Sequence, residues 1–434
     1  MKRKIYILIK SISLFFLVIS LKINNHRLSA FIIWLNMRKL KIIKHNNKNI
    51  KKILYFSKSG GNHDLLRSFD NHNNKKKNNI IFYWIPRSFI KKIYIYYFKS
   101  NYKKDYFTKV TNADEIYKKK QYINRLNSIF SSLDKFIKLD GFISFNIFYY
   151  AEKYLDEVCK NLNKKFIILH KESALSPAEE IHFTKGYKKY NEKSLSHKIS
   201  VYSDSQKKIL IKSKIATKNQ IVVNGCARSD YAFKLRKVKP QKKIIVFYLI
   251  ETKRYSVTKF QRVLKITNVN WKKLYEQTLK YLLEYAKNNP DVQLILKGKT
   301  GVHKINEINP ELLPKNCIYI YGGTGEKLLD EAKVVIAFGS TIVFETIASN
   351  RNLIIPNFNL EHQKRKKLVV QIANKKYLIN SKKEFYKKLD YYLNSKYVNK
   401  KLSNADYKTL KYYIGNYDGM AGKRIRNFLY SIFK

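Results

Sequence analysis

Acidic residues are scarce: 31 Asp and Glu stand against 88 Lys and Arg in 434 residues, a formal net charge of +57. Cysteine is nearly absent. Cys159, Cys226 and Cys317 are odd in number, far apart and outside any paired spacing, which excludes a disulfide framework and leaves each as a small buried hydrophobe. Only 7 Pro and 14 Gly are spread along the chain, so neither a collagen-like repeat nor wholesale disorder fits a sequence that is 45% hydrophobic. The 9 histidines form no H-x-x-x-H pair and none stands beside a cysteine pair, so no metal site is expected.

The excess of positive charge would by itself point to nucleic acid. No C-x-x-C finger, helix-turn-helix or RNP-type run accompanies it, however, and lysine and asparagine mix with isoleucine and tyrosine everywhere, as in Asn73 to Ile80. That is the pattern of AT-rich coding, which decorates surfaces indiscriminately. No specific nucleic-acid partner is expected. A cationic surface should still attract anionic lipid headgroups, phosphorylated glycolipids and nucleotides.

Long apolar runs are also missing. At the N-terminus the charge-free stretch Ser11 to Leu21 lies between Lys10 and Lys22, shorter than the roughly 20 residues a spanning helix needs. Leu28-Ser29-Ala30 is a poor cleavage site. Three readings stand: a helix on an anionic membrane surface, which the basic and apolar mixture favours; an uncleaved anchor; or an ordinary strand and helix.

From Lys51 onward, short β-branched or aromatic runs alternate with segments of helical period. Strands are predicted at 53–57, 78–85, 142–147, 166–169, 198–202, 220–223, 243–249, 292–296, 317–321, 334–337 and 353–356. Helices are predicted at 114–133, 149–161, 271–288, 341–349, 385–397 and 421–433. The lysine-rich run 234–243 around Pro240 reads as an interdomain linker. Length favours two or three domains.

Several strand ends carry polar groups. Ser59-Gly60-Gly61 after the first strand allows close backbone approach, though a plain turn explains it equally. Gly339-Ser340-Thr341 places a glycine and two hydroxyls at a helix start beyond a buried strand, where free amides and the dipole attract an anion. Glu345 lies one turn further on the face of Thr341. The plain alternative is a capped helix with a first-turn carboxylate. Lys297, at the end of the 292–296 strand, is placed to neutralise a phosphate and stabilise a departing nucleotide without a metal, or is simply solvated; Lys299 and His303 are weaker versions of the same idea. His170-Lys171-Glu172 ends another strand. A base is needed to take a hydroxyl proton, and Glu172 is the first choice, His170 the second, with Lys171 holding an anionic group; an exposed loop explains them equally. Arg228 can grip a phosphate or carboxylate bidentately, and Asp230 caps the next helix.

The stretch Val334 to Thr341 followed by Glu345-Thr346-Ile347-Ala348 resembles the donor-binding strand, turn and helix of GT-B glycosyltransferases, most closely those of bacterial surface carbohydrate and capsule polysaccharide biosynthesis. Asn146 to Glu152 leading to Leu169-His170-Lys171-Glu172, then Val223 to Asp230, and finally Asn416 to Arg424 are similar to the same group, in the same order. The resemblance runs from about residue 140 to the C-terminus. Asn350-Arg351 departs from it where a glycine is usual, although asparagine tolerates the left-handed conformation required there. The first 50 residues have no counterpart.

The resemblance implies an α/β, GT-B-like fold: two Rossmann-like parallel-sheet domains facing a cleft, with a C-terminal helix returning to the first. The expected boundaries are 1–50 for a basic, apolar segment, 51–236 for an acceptor domain, 237–402 for a nucleotide-sugar domain and 403–434 for the returning helical segment. It further implies that Gly339, Ser340 and Thr341 hold the donor phosphates, with Glu345 near the ribose. The expected activity is metal-independent transfer of a sugar from a nucleotide-sugar to a surface polysaccharide or lipid-linked acceptor, of the capsule or lipopolysaccharide type. It needs no bound cofactor, and it belongs in the cytoplasm, peripheral to the inner membrane. A non-hydrolysing nucleotide-sugar epimerase or a CDP-polyol phosphotransferase would use the same fold. A non-enzymatic RNA- or polyanion-binding protein is the alternative of a different class.

Overall fold

A computed structural model describes residues 2–40, 49–57, 59–69, 79–98, 112–147, 149–172, 174–190, 193–240, 242–250, 271–298, 308–323, 325–358, 370–396 and 401–433. It divides the chain into two compact units: 1–172 with 184–227 and 422–434, and 173–183 with 228–421.

The first unit opens with helices α1 (Lys2–Lys22) and α2 (His26–Leu35) and a short strand β1 (Arg38–Lys39). The expectation that residues 11–21 make too short a segment to span is corrected here. Lys10 does not interrupt the helix, and Ile5–Lys22 is by length and composition apolar enough to cross a membrane, with a mean hydropathy of 2.0. One lysine leaves backbone hydrogen bonding intact, so periodicity carries through it.

Next come β2 (Lys51–Ser57), α3 (Ser59–Phe69), β3 (Ile80–Pro86), α4 (Ser88–Phe98), α5 (Ala113–Phe136), β4 (Gly141–Ser144), α6 (Leu155–Asn161) and β5 (Lys165–Leu169). After α7 (Pro177–Tyr190), whose first half belongs to the second unit, follow β6 (Lys198–Val201), α8 (Asp204–Lys212) and β7 (Ile221–Val223). The seven strands are ordered β1-β3-β2-β4-β5-β6-β7. All pairs are parallel except the edge pair β1/β3. Continuous runs such as Ile53-Leu54-Tyr55-Phe56 are buried on both faces, as a covered parallel sheet requires.

The second unit contains β8 (Ile244–Tyr248), β9 (Gln293–Gly298), β10 (Cys317–Tyr321), β11 (Val334–Ile336), β12 (Asn352–Pro356) and β13 (Leu378–Ile379). Their order is β10-β9-β8-β11-β12-β13, parallel throughout. Phe247, Leu294, Leu296, Ile336 and Ile354 of these strands share a core with Trp271 and Leu282 of the helix Trp271–Asn288 and with Phe385 and Leu389 of the helix Lys382–Asn394.

Both boundaries of this unit differ from those expected. The break falls between Ala227 and Arg228, inside α9 (Ala227–Leu235), and not in the lysine-rich run after it. The reason is packing: Tyr231 Oη donates to Asp330 at 2.5 Å and Arg236 to the Ala348 carbonyl at 3.4 Å, which binds this helix to the second sheet. Likewise the helix Asn404–Ile414 stays in the second unit, where Tyr413 stacks on Phe344. The last helix, Ala421–Ile432, supplies Ile425, Phe428, Leu429 and Ile432 to the core of the first unit beside Ile53 and Ile143, so a C-terminal return to the first unit is present and shorter than expected.

Candidate functional site

In the second unit, β8 lies at the centre of the sheet. The connection from β8 leads to β9 on one side, and the one from β11 leads to β12 on the other. The winding therefore reverses between β8 and β11, and a parallel sheet opens a crevice beyond the carboxyl ends of such a strand pair. The chain leaving β11 enters Ala337-Phe338-Gly339-Ser340 and then the helix Thr341–Ala348.

Ser340 is the N-cap residue of that helix, extended at φ −118° and ψ 173°, yet its side chain makes no capping hydrogen bond. Ser340 is exposed, and Gly339 and Thr341 are partly so. The hydroxyl thus stands at a helix start without doing the work of a cap. Asn350, at the departure from the resembled pattern, adopts φ +59°, the left-handed conformation expected of it.

Glu345 is only 8% exposed. It lies near Tyr248, the last residue of β8, whose pKa is driven well up by burial first and then by the carboxylates of Glu345, Glu326 and Asp330. The Tyr248 hydroxyl donates to the Gly325 carbonyl at 2.6 Å. Lys297 pairs with Tyr248 across β8 and β9, so it does occupy the same sheet end. Its ammonium, however, is buried and donates to the carbonyls of Gly298, at 2.9 Å, and Gly322. Burial lowers its pKa. As found, Lys297 ties the turns after β9 and β10 together and presents no exposed charge to a phosphate. Lys299 and His303 lie outside the described residues.

In the first unit the reversal falls between β2 and β4. His170, Lys171 and Glu172 follow β5, the neighbour of β4. His170 is buried, and burial pushes its pKa down to about 4, so the imidazole is neutral at neutral pH. Its Nδ1 accepts from the Ile147 N–H at 3.5 Å, which places the remaining proton on Nε2. That edge donates and does not act as a base. Glu172 is exposed, with Lys171 Nζ donating to its Oε1 at 2.7 Å, and its backbone carbonyl is held by Gln206. Lys171 therefore meets the carboxylate next to it. Arg228 sits in the first turn of α9 at the unit boundary, partly buried.

No family model matches the sequence, and no curated protein sequence does. Solved structures do resemble it across nearly its whole length. The wall teichoic acid polymerase TagF, in a variant soaked with CDPG, shares 10% identity over 96% of each chain with a TM-score of 0.48. The S. aureus MnaA complex with UDP shares 13% identity over 89% of this chain and 98% of its own, with a TM-score of 0.46. The lipopolysaccharide outer core galactosyltransferase WaaB shares 13% identity over 88% and 99%, with a TM-score of 0.39. Identities and TM-scores of this size carry no residue-by-residue correspondence.

Some site-bordering residues have no signal in the sequence. Arg87, directly after β3, is ion-paired with buried Glu152 and lies 3.8 Å over the Tyr149 ring. Ser144 Oγ donates to the other Glu152 oxygen at 2.5 Å. Glu152 belongs to one of the segments quoted for the resemblance, and its partner is 65 residues away in a chain with 88 cations. Asp230 caps a helix, though not the expected one: it accepts from the Ala421 N–H at 3.1 Å, the start of the helix that returns to the first unit. Arg424 of that helix donates to the Asn224 carbonyl at 2.8 Å. Two of the quoted segments thus meet in a structural joint.

Proposed function

We propose that this chain is a metal-independent glycosyltransferase that takes a nucleotide-sugar at the start of the helix Thr341–Ala348. The observation that carries the reading is the exposed Ser340 hydroxyl, unused as a cap, at the point where the second sheet reverses its winding. Gly339 admits close backbone approach, the first-turn amides and the hydroxyls of Ser340 and Thr341 meet the diphosphate, and Glu345 faces the ribose at the inner end of the site.

Transfer forms a bond from an acceptor hydroxyl oxygen to the anomeric carbon and breaks the bond from that carbon to the phosphate oxygen. The hydroxyl proton passes to a general base, the role proposed for Glu172 in the first unit, and the nucleotide leaves with its charge stabilised by the helix start in the second. His170, held neutral by burial, accepts from the Ile147 N–H and so ties the end of β5 to the segment after β4. The acceptor is a growing surface glycan or a lipid-linked saccharide, as in capsule or lipopolysaccharide assembly. Cys159, Cys226 and Cys317 form no disulfide, which suits the reducing cytoplasm.

Thermal-shift titration with UDP, GDP, CDP and CMP tests the donor site, because a ligand that binds the native state raises Tm. At least one nucleotide should stabilise the wild type. Ser340→Asp should remove that response while leaving the unliganded Tm equal or higher, since Asp is a good N-cap that repels a diphosphate. An undiminished nucleotide response in Ser340→Asp would discard the site.

A further inference from the structure

Seven of the exposed large hydrophobic side chains belong to α1, and their placement inverts the usual arrangement of a surface helix. Leu17, Ser20 and Leu21 are buried, with Leu14 and Lys10 half-buried on the same side, where the helix packs on α2 and α4. That side is anchored by a 2.7 Å hydrogen bond between the Ser20 and Ser29 hydroxyls and by the Arg38 guanidinium 4.3 Å over the Tyr6 ring. The opposite side presents Leu8 at 60%, Ile12 at 47%, Phe15 at 64% and Phe16 at 50% exposure. The helix thus turns polar and apolar groups alike toward the protein and an almost purely apolar stripe outward.

The helix packed beside α1 carries exposed aromatic rings. Phe31 and Trp34 of α2 stack with centroids 5.8 Å apart, and Trp34 stacks on Phe136 at the end of α5, also at 5.8 Å. All three rings are more than 40% exposed. The flanking charge is predominantly positive. The first 50 residues hold 11 Lys and Arg, and no Asp or Glu occurs before Asp64. Lys22, Arg27, Lys39, Lys135 and Lys138 are exposed around these helices, while Asp134, the nearest acid on α5, is ion-paired with Lys164 at 2.9 Å.

From an outward apolar stripe, an exposed aromatic stack on the adjoining helices and a predominantly basic rim, we infer that α1, α2 and the end of α5 form a pad that inserts into one leaflet of an anionic bilayer. Aliphatic and aromatic side chains enter the acyl boundary, aromatic rings settle at headgroup level, and lysines meet lipid phosphates. The helix lies in the plane of the interface, although it is long enough to span. Crossing would strip Leu17, Ser20 and Leu21 from their seat on α2 and α4 and carry Lys10 into hydrocarbon. The pad places the first unit against the surface where lipid-linked acceptors reside, but its existence does not depend on the proposed reaction.

Flotation of the full chain with vesicles of pure phosphatidylcholine, or with one quarter phosphatidylglycerol, tests the pad. The anionic vesicles should bind about tenfold tighter or more, and 0.5 M salt should weaken that preference. The variant Ile12→Gln/Phe15→Gln/Phe16→Gln changes exposed positions only, so it should keep its Tm and its nucleotide response while losing vesicle binding. The inference fails if the wild type ignores anionic vesicles, or if the variant binds them as well. Resistance to alkaline carbonate extraction from cell membranes would show a spanning helix instead. A wild-type dimer that the variant converts to a monomer, with neither binding vesicles, would assign the stripe to a second copy of the chain.

Discussion

Each unit reverses its winding beside its first central strand, but the helix that starts there is packed shut in one and open in the other. At the β2/β4 reversal the helix begins at Ser59-Gly60-Gly61, and a Cβ on Gly61 would stand 2.1 Å from the ring of Phe145, which follows β4. Glycine is used there to let a helix close on an aromatic ring. At the β8/β11 reversal the helix that follows β11 starts at Ser340, exposed and without a capping bond. The polar chemistry of the first unit lies elsewhere: in the buried Arg87–Glu152–Ser144 group and in the His170 to Glu172 strand end. Both sheets thus reverse their winding beside a central strand, and the side chains at the two helix starts differ.

The largest effect expected from this contrast is in the first unit. Arg87→Met leaves Glu152 buried without its cation, and it should lower the free energy of unfolding by about 3 to 5 kcal/mol in urea titration. Burial already raises the Glu152 pKa against the pull of Arg87. Arg87→Met with Glu152→Gln should recover part of that loss. A cost below about 1 kcal/mol for the single variant would mean that the pair is solvated.

A smaller effect concerns pH. The unfolded imidazole of His170 takes a proton near 6.5, whereas burial holds the folded one to about 4, so the unfolded state binds more protons between these values. Stability should therefore fall as pH drops through that window, by up to about 3 kcal/mol, and His170→Gln should remove the slope. Asp156, raised by burial to about 6, acts in the opposite sense, because the folded state takes up its proton first. The difference between wild type and variant isolates the imidazole. Parallel urea-stability profiles from pH 7 to pH 4 would contradict its burial.

The smallest effect distinguishes the open helix start from ordinary caps. Ser381 accepts from the Glu384 N–H at 3.2 Å, so Ser381→Ala should cost about 1 kcal/mol. Ser340→Ala should cost less than about 0.5 kcal/mol in thermal or urea unfolding. Equal losses would make Ser340 a structural residue and dissolve the contrast between the two crevices.

Much of the fold was legible because its elements are signalled locally. The runs 271–288 and 317–321 have the extents found, and the strand, glycine turn and helix around Ser340 were recognisable within about ten consecutive residues. Segments whose character is set at a distance were not. The helix Ser88–Phe98 reads as a basic, tyrosine-rich stretch until its buried face, Phe89, Ile90 and Ile93, finds a core. Lys297 reads as a free cation until two carbonyls claim it.

Periodicity, residue size and turn chemistry act over a few bonds, so the sequence alone determined the alternation of strands and helices, the scarcity of acids and the hydroxyl-bearing turn after β11. Strand order, the pairing of Arg87 with Glu152 and the division inside α9 depend on contacts between residues tens to hundreds of positions apart. Only tertiary structure decides those, because burial and desolvation are properties of what surrounds a side chain and not of the side chain itself.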